Sequence, residues 1–259
     1  MSNNNYEELM LPILRVSEVF YSIQGEGPTL GKPSVFIRLA GCNLECVWCD
    51  TKFTWLFSKK RLEKLKQRVG NKYLEQIGNK YYNFREETKV VDIQELLAFI
   101  YSVPAKNVVI TGGEPLLQKI RLKMLLEPLL KEGYWIEIET NGTIMPYHKN
   151  INVRYNVSPK LSSSMNPLEK RFKPEVLREL INRNSIFKFV IQNESDFLEM
   201  LNLVNSVGIP KENIYLMAEG DEPEQLKKNA LWVIEKCKIT GFNYSHRLHV
   251  ELFEGKRGM

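Results

Sequence analysis

From residue 88 onward, short apolar runs of strand character alternate with longer segments of helical period. The strand candidates are Asn107 to Ile110, Trp135 to Glu139, Tyr155 to Val157, Ile186 to Ile191, Ile214 to Met217 and Leu248 to Leu252. Between most of them lie VDIQELLAFIYSV, LLQKIRLKMLLEPLLKEG, PEVLRELINR, ESDFLEMLNLVNSVG and EPEQLKKNALWVIEKCK, each with apolar residues at helical spacing. This alternation predicts right-handed βαβ units, with a parallel sheet and helices outside it. Ahead of these units, SVFIRLAG (residues 34–41) predicts a first buried strand. Residues 56–87 are rich in Lys, Tyr, Asn and Glu and break the alternation. They read as an insertion, partly helical, whose expected role is a lid or a flap.

A chain of 259 residues suits one sizeable α/β domain spanning residues 1–259, with the insertion at about 56–87. With 43% hydrophobic and 26% charged residues, the composition is that of a globular protein and not of a disordered or fibrous one. No run of about 18 apolar residues exists, so no membrane span is expected. The start, MSNNNYEELMLPIL, has neither the charged nor the apolar part of a signal peptide, and the expected compartment is the cytoplasm. The net charge is +5, and its densest part is KKRLEKLKQR at residues 59–68. A solvated helix face is the default for such a run, with nucleic-acid contact as the rival.

Three of the four cysteines, Cys42, Cys46 and Cys49, lie within GCNLECVWCDT, directly after the first strand candidate. Their crowding does not suit a disulfide framework. Structural zinc takes four closed ligands and catalytic zinc three with an open position. A C-x3-C-x2-C spacing, with no His in the loop, also suits a [4Fe-4S] cluster held by three thiolates, one iron being left for another ligand. Spacing alone leaves cluster, zinc and unrelated structural cysteines open. Further along, TGGEP (111–115), ETNGT (139–143) and SPK (158–160) each end a strand candidate, where α/β folds build their sites. Cys237 sits in a helical pattern as a free thiol. His148, His246 and His249 are far from the cysteines in sequence and receive no catalytic role.

The C-x3-C-x2-C motif with Trp48 before its last cysteine, together with TGGEP, resembles the radical S-adenosylmethionine superfamily. That resemblance implies an α/β fold in the form of an incomplete, partial TIM-like barrel, parallel strands inside and helices outside, with the cluster at its C-terminal mouth. It implies cluster ligation by Cys42, Cys46 and Cys49. It also implies S-adenosylmethionine contacts from Trp48, Asp50, Gly112, Gly113, Glu114, Glu139, Asn141, Ser158, Lys160 and Gln192. Glu114 would accept from the methionine ammonium, and Glu139 and Asn141 would bond the ribose hydroxyls.

The nearly continuous stretch YSIQGEGPTLGKPSVFIRLAGCNLECVWCDT (21–51) and the tail HVELFEGKRGM resemble the 7-carboxy-7-deazaguanine synthase family. The family resemblance implies conversion of 6-carboxy-5,6,7,8-tetrahydropterin to 7-carboxy-7-deazaguanine, on the route to queuosine and archaeosine. Ile23, Gln24, Gly25, Arg38 and Thr111 would then bind the pterin, Arg38 clamping its carboxylate with a planar fork. Thr51 would ligate Mg2+. A flavodoxin-like external electron donor and a homodimer are also implied. The tail would close over the substrate. A glycyl-radical activase acting on a partner protein shares the cysteine spacing and stands as the alternative. A zinc-stabilised RNA-binding module is a third reading, from the basic run and the cysteines.

Overall fold

The computed structural model describes residues 11–254 and 256–259. The first ten residues, on which much of the leader reading rests, lie outside that range, as does Gly255 of the tail. Nine strands form one open sheet in the order β3-β1-β2-β4-β5-β6-β7-β8-β9. They are β1 (Ile13–Ile23), β2 (Pro33–Leu39), β3 (Lys89–Asp92), β4 (Asn107–Gly112), β5 (Trp135–Thr140), β6 (Val153–Val157), β7 (Ser185–Ile191), β8 (Ile214–Ala218) and β9 (Asn243–Ser245). From β2 through β4 to β9 every neighbouring pair is parallel, and the sheet does not close.

Two differences from the sequence reading stand out. β1 and β3 add an antiparallel edge ahead of the parallel run, so SVFIRLAG is the second strand and not the first. Leu248 to Leu252 is no strand: Leu248–Phe253 is a short helix. Its apolar residues alternate as in a strand, but only Val250 is buried, and Leu252 is 58% exposed. The ninth strand position is taken instead by the polar triplet Asn243–Ser245.

Strand alternation explains how the site arises. Successive side chains of a strand point to opposite faces. In β2, Val35, Ile37 and Leu39 join the main core, as do Val108 and Ile110 of β4, Ile136 and Ile138 of β5, and Phe187, Phe189 and Ile191 of β7. The helices that cover this outer face are α4 (Ile93–Tyr101), α5 (Lys119–Lys131), α7 (Pro174–Ile181), α8 (Glu194–Val207) and α9 (Pro223–Thr240), each contributing buried residues to the same core. Local chemistry sets their ends: Asp92 caps α4 by accepting from Gln94 N, and Asn193 caps α8 by accepting from Asp196 N. Gly208 and Gly241 end α8 and α9 in the left-handed region. The other strand phase, Arg38, Thr111, Glu139, Asn156 and Lys188 among it, faces the hollow of the sheet.

The 56–87 segment contains α1 (Lys59–Val69), α2 (Leu74–Ile77) and α3 (Phe84–Glu87). α1 is capped by Ser58 and ended by Gly70. None of the described residues between 56 and 87 lines the cavity. Instead Leu56, Leu62, Leu65, Val69 and Ile77 form a second core with Val47 and Trp55 of the cysteine loop. Burying each of these aliphatic side chains is worth roughly 1.5–3 kcal/mol. That outweighs the like-charge pairs of α1, which cost only a few tenths of a kcal/mol each at i,i+4 spacing.

Candidate active site

A cavity of about 520 Å³ opens where the parallel strands end. Strand register builds one wall of it. Glu18 of β1 pairs with Arg38 of β2, and Arg38 with Thr111 of β4. Glu139 of β5 accepts from Thr111 Oγ1 at 2.7 Å and is itself the register partner of Asn156 on β6. A polar row thus crosses five neighbouring strands, and every member of it lines the cavity.

The cysteine loop follows β2 and forms the roof. Cys42, Cys46 and Cys49 all line the cavity, and none is in a disulfide. Each sulfur receives a nitrogen donor: Leu44 N on Cys42 at 3.4 Å, Asn166 Nδ2 on Cys46 at 3.2 Å and Trp55 Nε1 on Cys49 at 3.3 Å. Burial pushes the three thiols above their ordinary pKa, Cys46 up to about 12. At Cys46, Lys160 and the Asn166 amide work in the opposite direction.

TGGEP fixes where this loop starts. A Cβ on Gly112 would lie 2.2 Å from Leu39 O, and one on Gly113 2.0 Å from Gly41 O. The close approach the glycines permit is therefore to the cysteine loop's own backbone, sealed by Gly113 N to Leu39 O and Glu114 N to Gly41 O. Glu114 lies at the heart of this junction. It is fully buried, does not line the cavity, and accepts from Leu116 N, Thr140 Oγ1 and Asn141 N at 3.0, 2.9 and 2.7 Å. Both its oxygens are thus engaged in tying the end of β4 to the end of β5. Gln192 does not line the cavity; its backbone N bonds Asp196 at 3.1 Å and its side-chain Nε2 is buried without a partner.

The remaining expected residues meet in the cavity: Trp48, Asp50, Thr51, Gly112, Gly113, Glu139, Asn141, Ser158 and Lys160, with Ile23, Gln24, Gly25, Arg38 and Thr111. Asn141 Nδ2 bonds Asn43 of the cysteine loop at 2.9 Å. Lys160 donates to Ser158 at 2.7 Å and lies 5.4 Å above the Trp48 ring. Arg38 donates from Nε to Glu18 at 2.8 Å.

Sequence reasoning missed a charged group on the opposite wall. Glu26, given no role above, is salt-bridged to Lys188 of β7 and lies 3.6 Å from Arg247 and 3.8 Å from His249. Burial works to raise its pKa, but Lys188, His249 and Arg247 together bring it down to about 2. Arg247 also pairs with Asp50 at 2.6 Å, and against the effect of burial it holds that carboxyl below the ordinary range, helped by Arg38. His249, assigned no role from sequence, lines the cavity, and a Cβ on Gly25 would meet its Nδ1 at 2.5 Å. The C-terminal residues from Lys256 to Met259 complete the rim.

A profile of the Radical SAM superfamily matches residues 36–233. A 7-carboxy-7-deazaguanine synthase from Hyperthermus butylicus is 34% identical over 247 residues, which cover 92% of each chain. The chain belongs to the 7-carboxy-7-deazaguanine synthase family. A second relative of that family, from Pyrobaculum aerophilum, is 31% identical over 95% of this chain and 98% of its own. Among solved structures, the crystal structure of QueE from Escherichia coli matches with a TM-score of 0.68 at 26% identity, over 96% of this chain and 100% of that one.

Membership of the radical SAM superfamily brings a [4Fe-4S] cluster and S-adenosylmethionine. The residues of the 7-carboxy-7-deazaguanine synthase site fit both groups. Three unpaired thiols share one cavity, each already facing a donor of the kind that stabilises thiolate. Among the described residues, no three His, Cys, Asp or Glu side chains close on a point that would hold a single ion. A cluster asks for less closure, because each thiolate binds a different iron. Trp48 Nε1 and Gln24 Nε2 are buried without a partner, two donors beside the space that S-adenosylmethionine and substrate would fill.

Proposed function

We propose that this cavity converts 6-carboxy-5,6,7,8-tetrahydropterin to 7-carboxy-7-deazaguanine, with loss of ammonia and contraction of the ring. The observation that carries this reading is the meeting of the three cysteines with the polar row Glu18–Arg38–Thr111–Glu139–Asn156 in one cavity, in a chain of this family.

Cys42, Cys46 and Cys49 would hold the cluster. When bound, the cluster and S-adenosylmethionine supply the one-electron cleavage of a sulfonium and the abstraction of a hydrogen atom from substrate. The chain's own residues do the rest. Asn141, Ser158 and Lys160 orient S-adenosylmethionine, and Glu139 accepts from a ribose hydroxyl, exchanging it for Thr111. Arg38 has one guanidinium edge on Glu18 and offers its other nitrogens to the substrate carboxylate. Gln24 Nε2 and the backbone of Ile23 to Gly25 pair with the pyrimidine edge of the pterin. His249 has its pKa lowered by burial against the pull of Glu26, so it meets substrate as a neutral imidazole near pH 7. Thr51 ligates Mg2+ with substrate and water. The enzyme works in the cytoplasm as a homodimer, reduced by an external one-electron donor. No described helix is long and apolar enough to cross a membrane.

The test is anaerobic reconstitution with S-adenosylmethionine, Mg2+, dithionite and the pterin, followed by mass spectrometry. 7-Carboxy-7-deazaguanine should form only when S-adenosylmethionine is present. Formation of 5'-deoxyadenosine without that product would leave radical chemistry standing and remove the substrate; the activase alternative would then regain ground that the relatives now deny it.

A further inference from the structure

The three nitrogen donors on the cysteine sulfurs have different origins. Leu44 N belongs to the cysteine loop itself, and the Trp55 indole to the second core packed against it. Asn166 stands 120 positions from Cys46 in the chain, is buried, and reaches Cys46 Sγ with Nδ2 at 3.2 Å. The orientation of its amide is forced. Oδ1 accepts from Glu45 N at 2.9 Å, so Nδ2 is the end left for the sulfur. Turned over, the amide would set its NH2 against the Glu45 N–H and its oxygen against the sulfur, losing both bonds. The chain around Asn166 is built to hold it. Ser164 O accepts from Val47 N at 3.3 Å, so residues 164 and 166 grip three successive residues of the loop, Glu45, Cys46 and Val47. Between them Met165 takes a φ of 59°, left-handed backbone that is unfavourable for a residue with a Cβ. Arg171 ends the short helix α6 (Leu168–Arg171) and is buried. It donates to Asn166 O at 3.2 Å and to Lys160 O at 3.0 Å, and it pairs with Glu199 of α8 at 2.7 Å. Glu199 in turn accepts from Ser162 N at 2.9 Å. Of this clamp only Lys160 lines the cavity, so Asn166, Arg171 and Glu199 are not placed to touch substrate.

We propose that Asn166 tunes the reduction potential of the cluster, raising it by donating a hydrogen bond to Cys46 Sγ. The inference rests on Cys42, Cys46 and Cys49 holding the cluster and does not depend on the pterin. Reduction adds one electron, taken from an external reductant, and breaks no bond; the negative charge shared by the cluster and its sulfurs grows by one unit. An N–H dipole aimed at one of those sulfurs therefore favours the reduced form over the oxidised one, and hydrogen bonds to sulfur are among the features that set such potentials. This bond is buried, where the low dielectric strengthens it. Asn166 thus acts through Cys46 and not on substrate. Arg171 acts one step further out: by fixing the carbonyls of Lys160 and Asn166 it keeps the donor at its distance from the sulfur.

The experiment compares the reconstituted unaltered protein with two variants. Asn166→Leu keeps the branched shape and removes the donor; Asn166→Asp removes the donor and keeps an acceptor for Glu45 N. Iron per chain is determined first. The midpoint potential is then read anaerobically, without pterin or S-adenosylmethionine, from the paramagnetic signal of the reduced cluster during titration with dithionite. Both variants should hold a full cluster. At a given potential, the ratio of oxidised to reduced cluster should rise in each by about tenfold or more, which for one electron is a midpoint lowered by about 59 mV. An unchanged potential in Asn166→Leu would overturn the proposal. So would a shift in Asn166→Asp alone, which would report an added charge and not a lost hydrogen bond. Loss of iron from Asn166→Leu would make Asn166 a structural support of the cysteine loop and also overturn it. Absence of a four-iron cluster from the unaltered protein would strike the cysteine assignment and this proposal with it. The expected shift, in a protein that forms no 7-carboxy-7-deazaguanine, would support the proposal and strike the synthase reading alone.

Discussion

At the scale of single residues, the charged wall around Glu26 makes the sharpest demands. Lys188 is buried and Glu26 largely so, and breaking such a pair from one side costs roughly 3–5 kcal/mol, because the remaining charge loses its nearest partner. The pKa of Glu26 is lowered on folding, so its contribution is fully present above the ordinary carboxylate value of 4.5 and is lost as pH falls toward about 2. Thermal melts should therefore show the Glu26→Gln variant several kcal/mol less stable at pH 7, with the gap to the unaltered protein closing between about pH 4.5 and pH 2. A gap that stayed constant across that window would remove Glu26 from the acid sensitivity of the fold. On the facing wall, Arg38→Lys keeps a charge and loses the fork. Charge-assisted hydrogen bonds are worth about 1.5–3 kcal/mol, so kcat/KM for the pterin should fall roughly 10- to 100-fold. 5'-Deoxyadenosine formed without product should rise in proportion. Most individual site residues were legible because they stand in short motifs: the cysteines, QGEG, GGE, ETNG and SPK. Lys188 and Asn156 were not read, yet a signal existed. Each is the polar residue in the inward phase of an otherwise apolar strand, FKF and YNV, where a purely structural strand would place another aliphatic. Glu26 and His249 stand within the quoted stretches QGEG and HVELFEGKRGM, but a loop residue and a short-helix residue meet only through tertiary packing, so their pairing was not legible.

Elements were legible in proportion to how much of their pattern is local. The helices α4, α5, α7, α8 and α9 follow from apolar period and caps, and β4 to β8 from apolar runs. β1, β3 and β9 were missed because half or more of their residues are exposed or only half-buried, which weakens the apolar signal. The strand expected at Leu248 to Leu252 failed for the opposite reason: its alternation is present, but there is no neighbouring strand for it to pair with. The junction of β2 and β4 deserves its own prediction. Adding a methyl group to Gly113 would put it 2.0 Å from a backbone oxygen of Gly41 and 3.1 Å from Cys42 Cβ, contacts that side-chain motion cannot relieve. Gly113→Ala should therefore cost more than about 2 kcal/mol of stability. It should also lower the iron bound per chain after reconstitution, because the start of the cysteine loop must shift. A full complement of iron in this variant would show that the loop tolerates displacement at Gly41.

Across the whole molecule, Lys256 to Met259 lie on the rim of the cavity, where the family resemblance put the tail. Arg257 donates to Glu18 at 2.7 Å and to Glu87 at 2.9 Å, and its guanidinium lies 3.6 Å from the Phe53 ring centroid. Glu18 is also the partner of Arg38. One carboxylate thus serves the arginine proposed to hold the substrate and the arginine that pins the tail. Glu87 comes from the 56–87 segment, which thus supplies an anchor for the tail. Arg257 is half-exposed, so its two ion pairs are discounted for solvent to about 0.2–1 kcal/mol each. The ring contact adds about 0.5–1 kcal/mol. A total of about 1–3 kcal/mol is enough to govern how firmly the tail is held at the rim. Arg257→Ala should therefore lower the melting temperature by roughly 2–12 °C, raise KM for the pterin roughly 5- to 50-fold and leave kcat nearly unchanged. Glu18→Gln removes the shared carboxylate and should act on both arginines at once, so its effect on kcat/KM should exceed that of Arg257→Ala. If the two variants gave equal losses, the tail and the substrate clamp would be independent. A larger effect of Glu18→Gln would mean that substrate binding at Arg38 and closure of the tail draw on the same charge.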